Sequence, residues 1–112
     1  MEYDYVKLEI FIPESHLDVL SKALRKADAG HIGRYDCVLS YSKVTSTWRP
    51  LEGADPYSGT IGVLSEEEEC KVEVTVEAAR LDAAIDAVRR VHPYEEPVIN
   101  AIPLLRPMHS CV

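Results

Sequence analysis

The sequence predicts an α+β fold of the ferredoxin-like type: a β-α-β-β-α-β chain whose four antiparallel strands carry two helices on one face. Three observations predict it. Four segments have the alternation or β-branched content of strands, two segments carry apolar residues at helical spacing, and the helical segments follow the first and third strands. With 112 residues the chain is long enough for one ordinary core, so a single domain is expected over 1–112, with a core of about 3–105 and a tail of 106–112.

In residues 3–12, Val6, Leu8, Ile10 and Ile12 alternate with Tyr5, Lys7, Glu9 and Phe11, the pattern of a half-buried strand that Pro13 ends. Ser15 is placed to cap a helix whose apolar residues are Leu17, Leu20, Leu24 and Ala27. Gly30 suits the left-handed stop after that helix. Residues 35–46, rich in Tyr, Val, Ser and Thr, form the second expected strand. Residues 47–67 hold Pro50, Gly53, Pro56, Gly59 and Gly62 without clear periodicity and are expected to be a long loop or short arm between strands two and three. Glu66-Glu67-Glu68-Glu69 is read as a solvated turn before the third strand.

The third strand is expected over 69–76, where Cys70, Val72, Val74 and Val76 alternate with polar residues. A second helix follows from about Ala79, with Leu81, Ala84, Ile85 and Val88 on one stripe and His92-Pro93 closing it. The last strand spans 97–105, and Pro103 within it points to an edge position or a bulge. The sheet face without helices is expected to carry Phe11, Tyr5 and Tyr35 or Tyr41, and such a face predicts a homo-oligomer.

Composition narrows the function classes. The net charge of −7, from 19 acidic and 12 basic residues, argues against a nucleic-acid partner, because phosphate binding requires clustered cations. No apolar run approaches the roughly 18 residues of a membrane span. The acidic start Met1-Glu2-Tyr3-Asp4 lacks the pattern of a secretory signal, so the expected address is the cytoplasm. Cys37, Cys70 and Cys111 are widely spaced and read as reduced thiols, Cys37 and Cys70 on strands and Cys111 in the tail.

The polar residues of interest cluster in three motifs. They are Ala29-Gly30-His31-Ile32-Gly33 after the first helix, Trp48-Arg49-Pro50-Leu51-Glu52-Gly53-Ala54-Asp55-Pro56 in the long loop, and His92-Pro93-Tyr94-Glu95-Glu96-Pro97 after the second helix. If both helix-to-strand junctions meet at one end of the sheet, His31, His92 and Glu95 present two imidazoles and a carboxylate. That donor set suits zinc or a similar divalent metal. Adjacent Glu95 and Glu96 point different ways on an extended backbone, so one of them is expected to ligate. The plainer reading makes His92 a protonated helix C-cap and His31 a turn residue bonded to the backbone between Gly30 and Gly33. Arg49, Tyr94, Glu96 and Glu52 are the candidate ligand or interface residues. Arg49 reads either as an anion clamp or as part of an arm tip in which Trp48 and Leu51 pack on a neighbouring subunit. Tyr94, Glu95 and Glu96 read as an interface paired with Arg49 or Arg34.

Taken in order, these motifs resemble the domain inserted in YqfO-type proteins, the family related to the yeast NGG1-interacting factor. Free-standing copies of that domain occur in bacteria. The resemblance covers about Tyr5 to Leu105. The His-Pro-Tyr-Glu portion is also similar to the CutA proteins, trimeric ferredoxin-like domains related to the PII signalling proteins. The resemblance implies a CutA-like fold and a homo-oligomer, a trimer before a dimer. It does not imply an enzyme, since the two-metal site and the GTP cyclohydrolase label of the full-length family belong to lobes that this sequence does not include. The function expected is therefore a small oligomeric binding or regulatory module, holding a divalent metal or small ligand near subunit interfaces. The alternative is a structural protein–protein interaction domain.

Overall fold

The computed structural model describes residues 3–105, and the tail with His109 and Cys111 lies outside the described residues. The elements are β1 (Tyr5–Ile12), a 3-10 turn (Glu14–His16), α1 (Leu17–Lys26), β2 (Ser40–Trp48), β3 (Ser65–Glu77), a second 3-10 turn (Ala78–Arg80), α2 (Leu81–Val91) and β4 (Ile99–Leu104). The strands form one antiparallel sheet in the order β2-β3-β1-β4. This is the ferredoxin-like sandwich that the element order predicts.

The alternation in β1 decides which face is covered. Val6, Leu8, Ile10 and Ile12 stand opposite Val76, Val74, Val72 and Cys70 of β3, and all eight are buried. Leu20 and Leu24 of α1 and Ala84 and Val88 of α2 complete this core. The helical spacing of those four residues follows from the need to present one stripe to the sheet. Pro103 sits on β4, which borders only β1, so its missing N–H falls on a sheet edge as expected.

The start of α1 differs from the capping expected. Ser15 makes no cap; its hydroxyl bonds His16 Nδ1 at 2.9 Å, and a 3-10 turn leads into α1 instead. At the other end Gly30 has φ +83°, donates to Thr75 O and accepts from Val38 N–H. A Cβ there would lie 2.2 Å from the Val38 carbonyl oxygen, so glycine is required both by conformation and by space.

The largest departure from expectation lies between β2 and β3. β2 runs to Trp48 rather than ending at 46, and starts at Ser40 rather than 35. β3 starts at Ser65, so Glu66–Glu69 is strand and not a solvated turn. These four residues pair in turn with Thr47, Ser46, Thr45 and Val44 in the β2–β3 ladder. The run tolerates a strand because successive side chains point to opposite faces, which separates neighbouring carboxylates. Residues 49–64 form an arm beyond the hairpin, with its own bonds from Ala54 N to Leu51 O, Gly62 N to Pro50 O and Val63 N to Thr60 O.

The open sheet face is also different. Tyr5 and Phe11 lie on it, but Tyr35 belongs to the loop after α1, and Tyr41 pairs with buried Val72 and so shares the helix-side face. The centre of the open face is charged: Lys7 meets Glu73 at 2.6 Å and Lys71 meets Glu9 at 3.3 Å. Cys70 is a buried strand residue, whereas Cys37 is exposed in the loop and holds φ +60°.

Candidate functional site

The antiparallel sheet places the two helix C-termini at opposite ends. α1 leaves the end of β1 and returns to its start, where Gly30 bonds Thr75, the partner of Lys7. α2 leaves the end of β3 beside Asp4 and finishes at the far end of β1 beside Phe11. From Lys7 to Phe11 the strand rises about 13 Å. His31 and His92 therefore do not meet, and the donor set His31, His92 and Glu95 is not assembled. Among the described residues no group of three or more His, Cys, Asp or Glu side chains is placed to hold a metal ion. The chain's own residues thus do not fit the zinc site expected.

His31 instead fastens the loop after α1. Its Nδ1 bonds Asp28 Oδ1 at 3.0 Å and its Nε2 bonds Gly33 O at 3.1 Å. Both partners are acceptors, so the geometry is served by an imidazolium that donates twice. The bond to Asp28 and its charge raise the His31 pKa above the ordinary value. Asp28 also meets Arg80 at 3.5 Å.

His92 is a different kind of histidine. It is 8% exposed. Its Nε2 bonds Phe11 O at 2.7 Å, and its Nδ1 accepts the Tyr94 backbone N–H at 3.2 Å. One nitrogen must donate and the other must accept, which defines a neutral ring with the proton on Nε2. Burial lowers its pKa. The expected protonated C-cap is replaced by a neutral strut between α2, β1 and the following loop, and neither ring nitrogen is free for a metal.

That strut sets Tyr94 in place. The Tyr94 hydroxyl donates to Glu69 Oε2 at 2.8 Å, and Glu69 is only 5% exposed. Burial, then the bond to Glu69, raises the phenol pKa far above its usual value, so Tyr94 stays a donor. Around Tyr94 stand three further rings: His92, Tyr57 and Trp48, with centroids 4.9, 5.8 and 6.2 Å away. His16, to which the sequence assigned no role, packs edge-on against Tyr57 at 5.8 Å.

The arm closes over this cluster through three bonds. Trp48 Nε1 donates to Ser58 O at 3.1 Å, Ser58 Oγ donates to Glu67 Oε2 at 2.6 Å, and the Asp55 N–H donates to Glu95 Oε2 at 2.5 Å. Between arm, sheet and the loop after α2 lies a groove of about 620 Å³. Phe11, Trp48, Tyr57 and Tyr94 form its apolar walls, Glu69 belongs to its lining, and Arg49, Glu95 and Glu96 also line it. The structure thus gathers Arg49, Tyr94, Glu95 and Glu96 at one site. Arg49 forms no ion pair with any described residue of the chain; the pairing expected for Glu95 and Glu96 is with an arginine of a neighbouring subunit. Glu52 is exposed on the arm outside the groove lining.

The comparisons with known proteins agree with this fold. No family model matches the chain. A Halalkalibacterium halodurans protein named GTP cyclohydrolase 1 type 2 homolog is 41% identical over 98 residues, 88% of this chain and 26% of the relative. The Bacillus cereus protein related to NIF3 superposes with a TM-score of 0.80 at 34% identity, over 91% of this chain and 26% of that one. The chain is similar over most of its length to one segment of these longer proteins. It spans about a quarter of the length of the curated relatives it matches. The periplasmic divalent cation tolerance protein CutA of Archaeoglobus fulgidus has a TM-score of 0.69 at 18% identity, over 93% of this chain and 87% of that one, a likeness of fold. Among the described residues no helix is long and apolar enough to cross a membrane.

Proposed function

We propose that this NIF3-related domain is a small binding module and that the groove beneath its arm holds a small organic ligand. The groove itself carries the reading: a concave, aromatic-walled space of about 620 Å³ with a few convergent polar groups, the usual make-up of a small-molecule site. The metal expected from His31, His92 and Glu95 finds no support in their placement, so the divalent cation in the name of the CutA neighbour is not carried over. Nor is the cyclohydrolase name, which belongs to much longer relatives. The test is a protein-observed NMR screen with fragments of mixed charge. Binding in the groove moves the Trp48 indole N–H and the Tyr57 and Tyr94 amides together. Fragments that leave all three unmoved count against the reading.

A second reading, self-association of the arm, rests on a separate observation. Leu51, Val63 and Leu64 on the arm are 64%, 55% and 68% exposed. Apolar residues grouped on a projecting arm favour a homo-oligomer, a trimer or a dimer. Sedimentation equilibrium of the protein and of a Leu64→Glu variant tests this; a wild-type monomer at micromolar concentration contradicts it.

A further inference from the structure

Resting on the groove as a ligand site, we infer that its ligand is an organic cation, an ammonium or guanidinium group on an apolar stem, seated between Glu69 and the rings of Trp48, Tyr57 and Tyr94. The first support is the carboxyl group at the groove. Glu69 is 5% exposed, yet only Oε2 has a partner among the described residues, the Tyr94 hydroxyl. No fully buried side-chain nitrogen or oxygen among them lacks a hydrogen bond. The unpartnered Oε1 must therefore reach open space, and the groove is the open space that Glu69 lines. A carboxyl oxygen largely removed from water is costly to leave without a donor.

The second support is the wall. Two further rings of the groove lining, Tyr57 and Trp48, stand with centroids 5.8 and 6.2 Å from that of Tyr94. Ring faces attract cations placed within about 6 Å, most strongly where water is excluded. The third is the sign of the lining charge. Glu69, Glu95 and Glu96 face a single guanidinium, Arg49. Carboxylates in this ratio repel an anion and attract a cation. Burial and the bond to Glu69 keep Tyr94 protonated, so its hydroxyl remains spent on Oε2 and leaves Oε1 to the ligand. The anion clamp that Arg49 suggested in the sequence is outweighed by these three carboxylates.

Trp48 is the chain's single tryptophan and lies in the groove wall, which makes it the reporter. Its fluorescence is followed while the protein is titrated with 2-phenylethylammonium, 2-phenylethanol and 3-phenylpropanoate, matched in shape and differing in charge. The ammonium is expected to bind at least about tenfold more tightly than the alcohol, as a hydrogen bond to a charged group supplies, and the carboxylate more weakly still. Glu69→Gln keeps an acceptor for the Tyr94 hydroxyl and is expected to abolish the preference for the ammonium while leaving alcohol binding in place. Raising salt on the wild-type protein gives an independent reading if that variant does not fold, since it weakens only the cation's binding. Equal or tighter binding of the alcohol or carboxylate overturns the cationic ligand and leaves the groove as a site. Silence of Trp48 toward all three compounds overturns both.

Discussion

His92 Nε2 donates to the Phe11 carbonyl at 2.7 Å, and this one bond ties the end of α2 to the end of β1 across 81 residues of sequence. The same ring accepts the Tyr94 N–H, and Tyr94 in turn reaches Glu69 on β3. One neutral imidazole thus joins the helix layer, the sheet and the groove. Replacing it with alanine strands a carbonyl and an N–H in a part-buried place, and His92→Ala is expected to lose about 1–3 kcal/mol of stability at pH 7.5. Denaturant melts of both proteins measure the difference.

The pH dependence of that difference has a definite sign. Burial lowers the folded-state pKa of His92 below its ordinary value of 6.5. The unfolded chain then binds the proton more readily, so the His92 contribution is present above pH 6.5 and is lost as pH falls through the lower folded pKa. Repeating the melts down to pH 5 is expected to show the wild-type advantage over His92→Ala shrinking. An advantage that grows with acid contradicts the neutral strut.

His31 carries the opposite sign. Its folded-state pKa is raised by Asp28, so its contribution is complete below pH 6.5 and is lost as pH rises through the folded value. Asp28, Asp36 and Arg80 are the charged groups around it. The stability difference between wild type and His31→Ala is expected to be largest at pH 6 and to fall by pH 8.5. A difference that stays level across that range removes the imidazolium from the account.

Gly30→Ala tests the turn between α1 and β2. A left-handed conformation costs a residue with a Cβ about 1–2 kcal/mol, and here that Cβ would also collide with the Val38 carbonyl. A loss of at least about 2 kcal/mol, or failure to fold, is expected in thermal melts. A near-wild-type midpoint would show that the loop at Val38 moves aside freely.

Glu95→Ala tests how the arm is held. The lost bond to the Asp55 N–H is local and on the surface, so hydrogen exchange at Asp55 is expected to quicken while the global melting midpoint barely moves. Unchanged exchange at Asp55 would mean that the arm is held by its aromatic contacts alone.

Most of the fold was legible because two periodicities mark it. Val6 to Ile12 and Val72 to Val76 show a period of two, and Leu17 to Leu24 and Leu81 to Val88 show a helical spacing. The hairpin extension was not, because Glu66–Glu69 has no apolar alternation to display; its strand character comes from pairing with Val44–Thr47. Reading Glu66–Glu69 as a solvated run also hid the burial of Glu69, which accepts a hydrogen bond from a tyrosine 25 residues away. The metal set failed for a topological reason available in the sequence. In an antiparallel β-α-β-β-α-β sheet the two helices run opposite ways, so their C-terminal junctions lie at opposite ends. Tyr94, Glu95, Glu96 and Arg49, which line the groove, sit in dense polar motifs of the sequence, whereas Tyr57 and His16 carry no such local signal.

The most direct test of the groove is a set of intermolecular NOEs between 2-phenylethylammonium and the protein. Contacts from the bound compound to the ring protons of Trp48, Tyr57 and Tyr94 are expected. Contacts confined to the open sheet face around Lys7 and Lys71, or to the His31 loop, would place the ligand elsewhere and contradict the account.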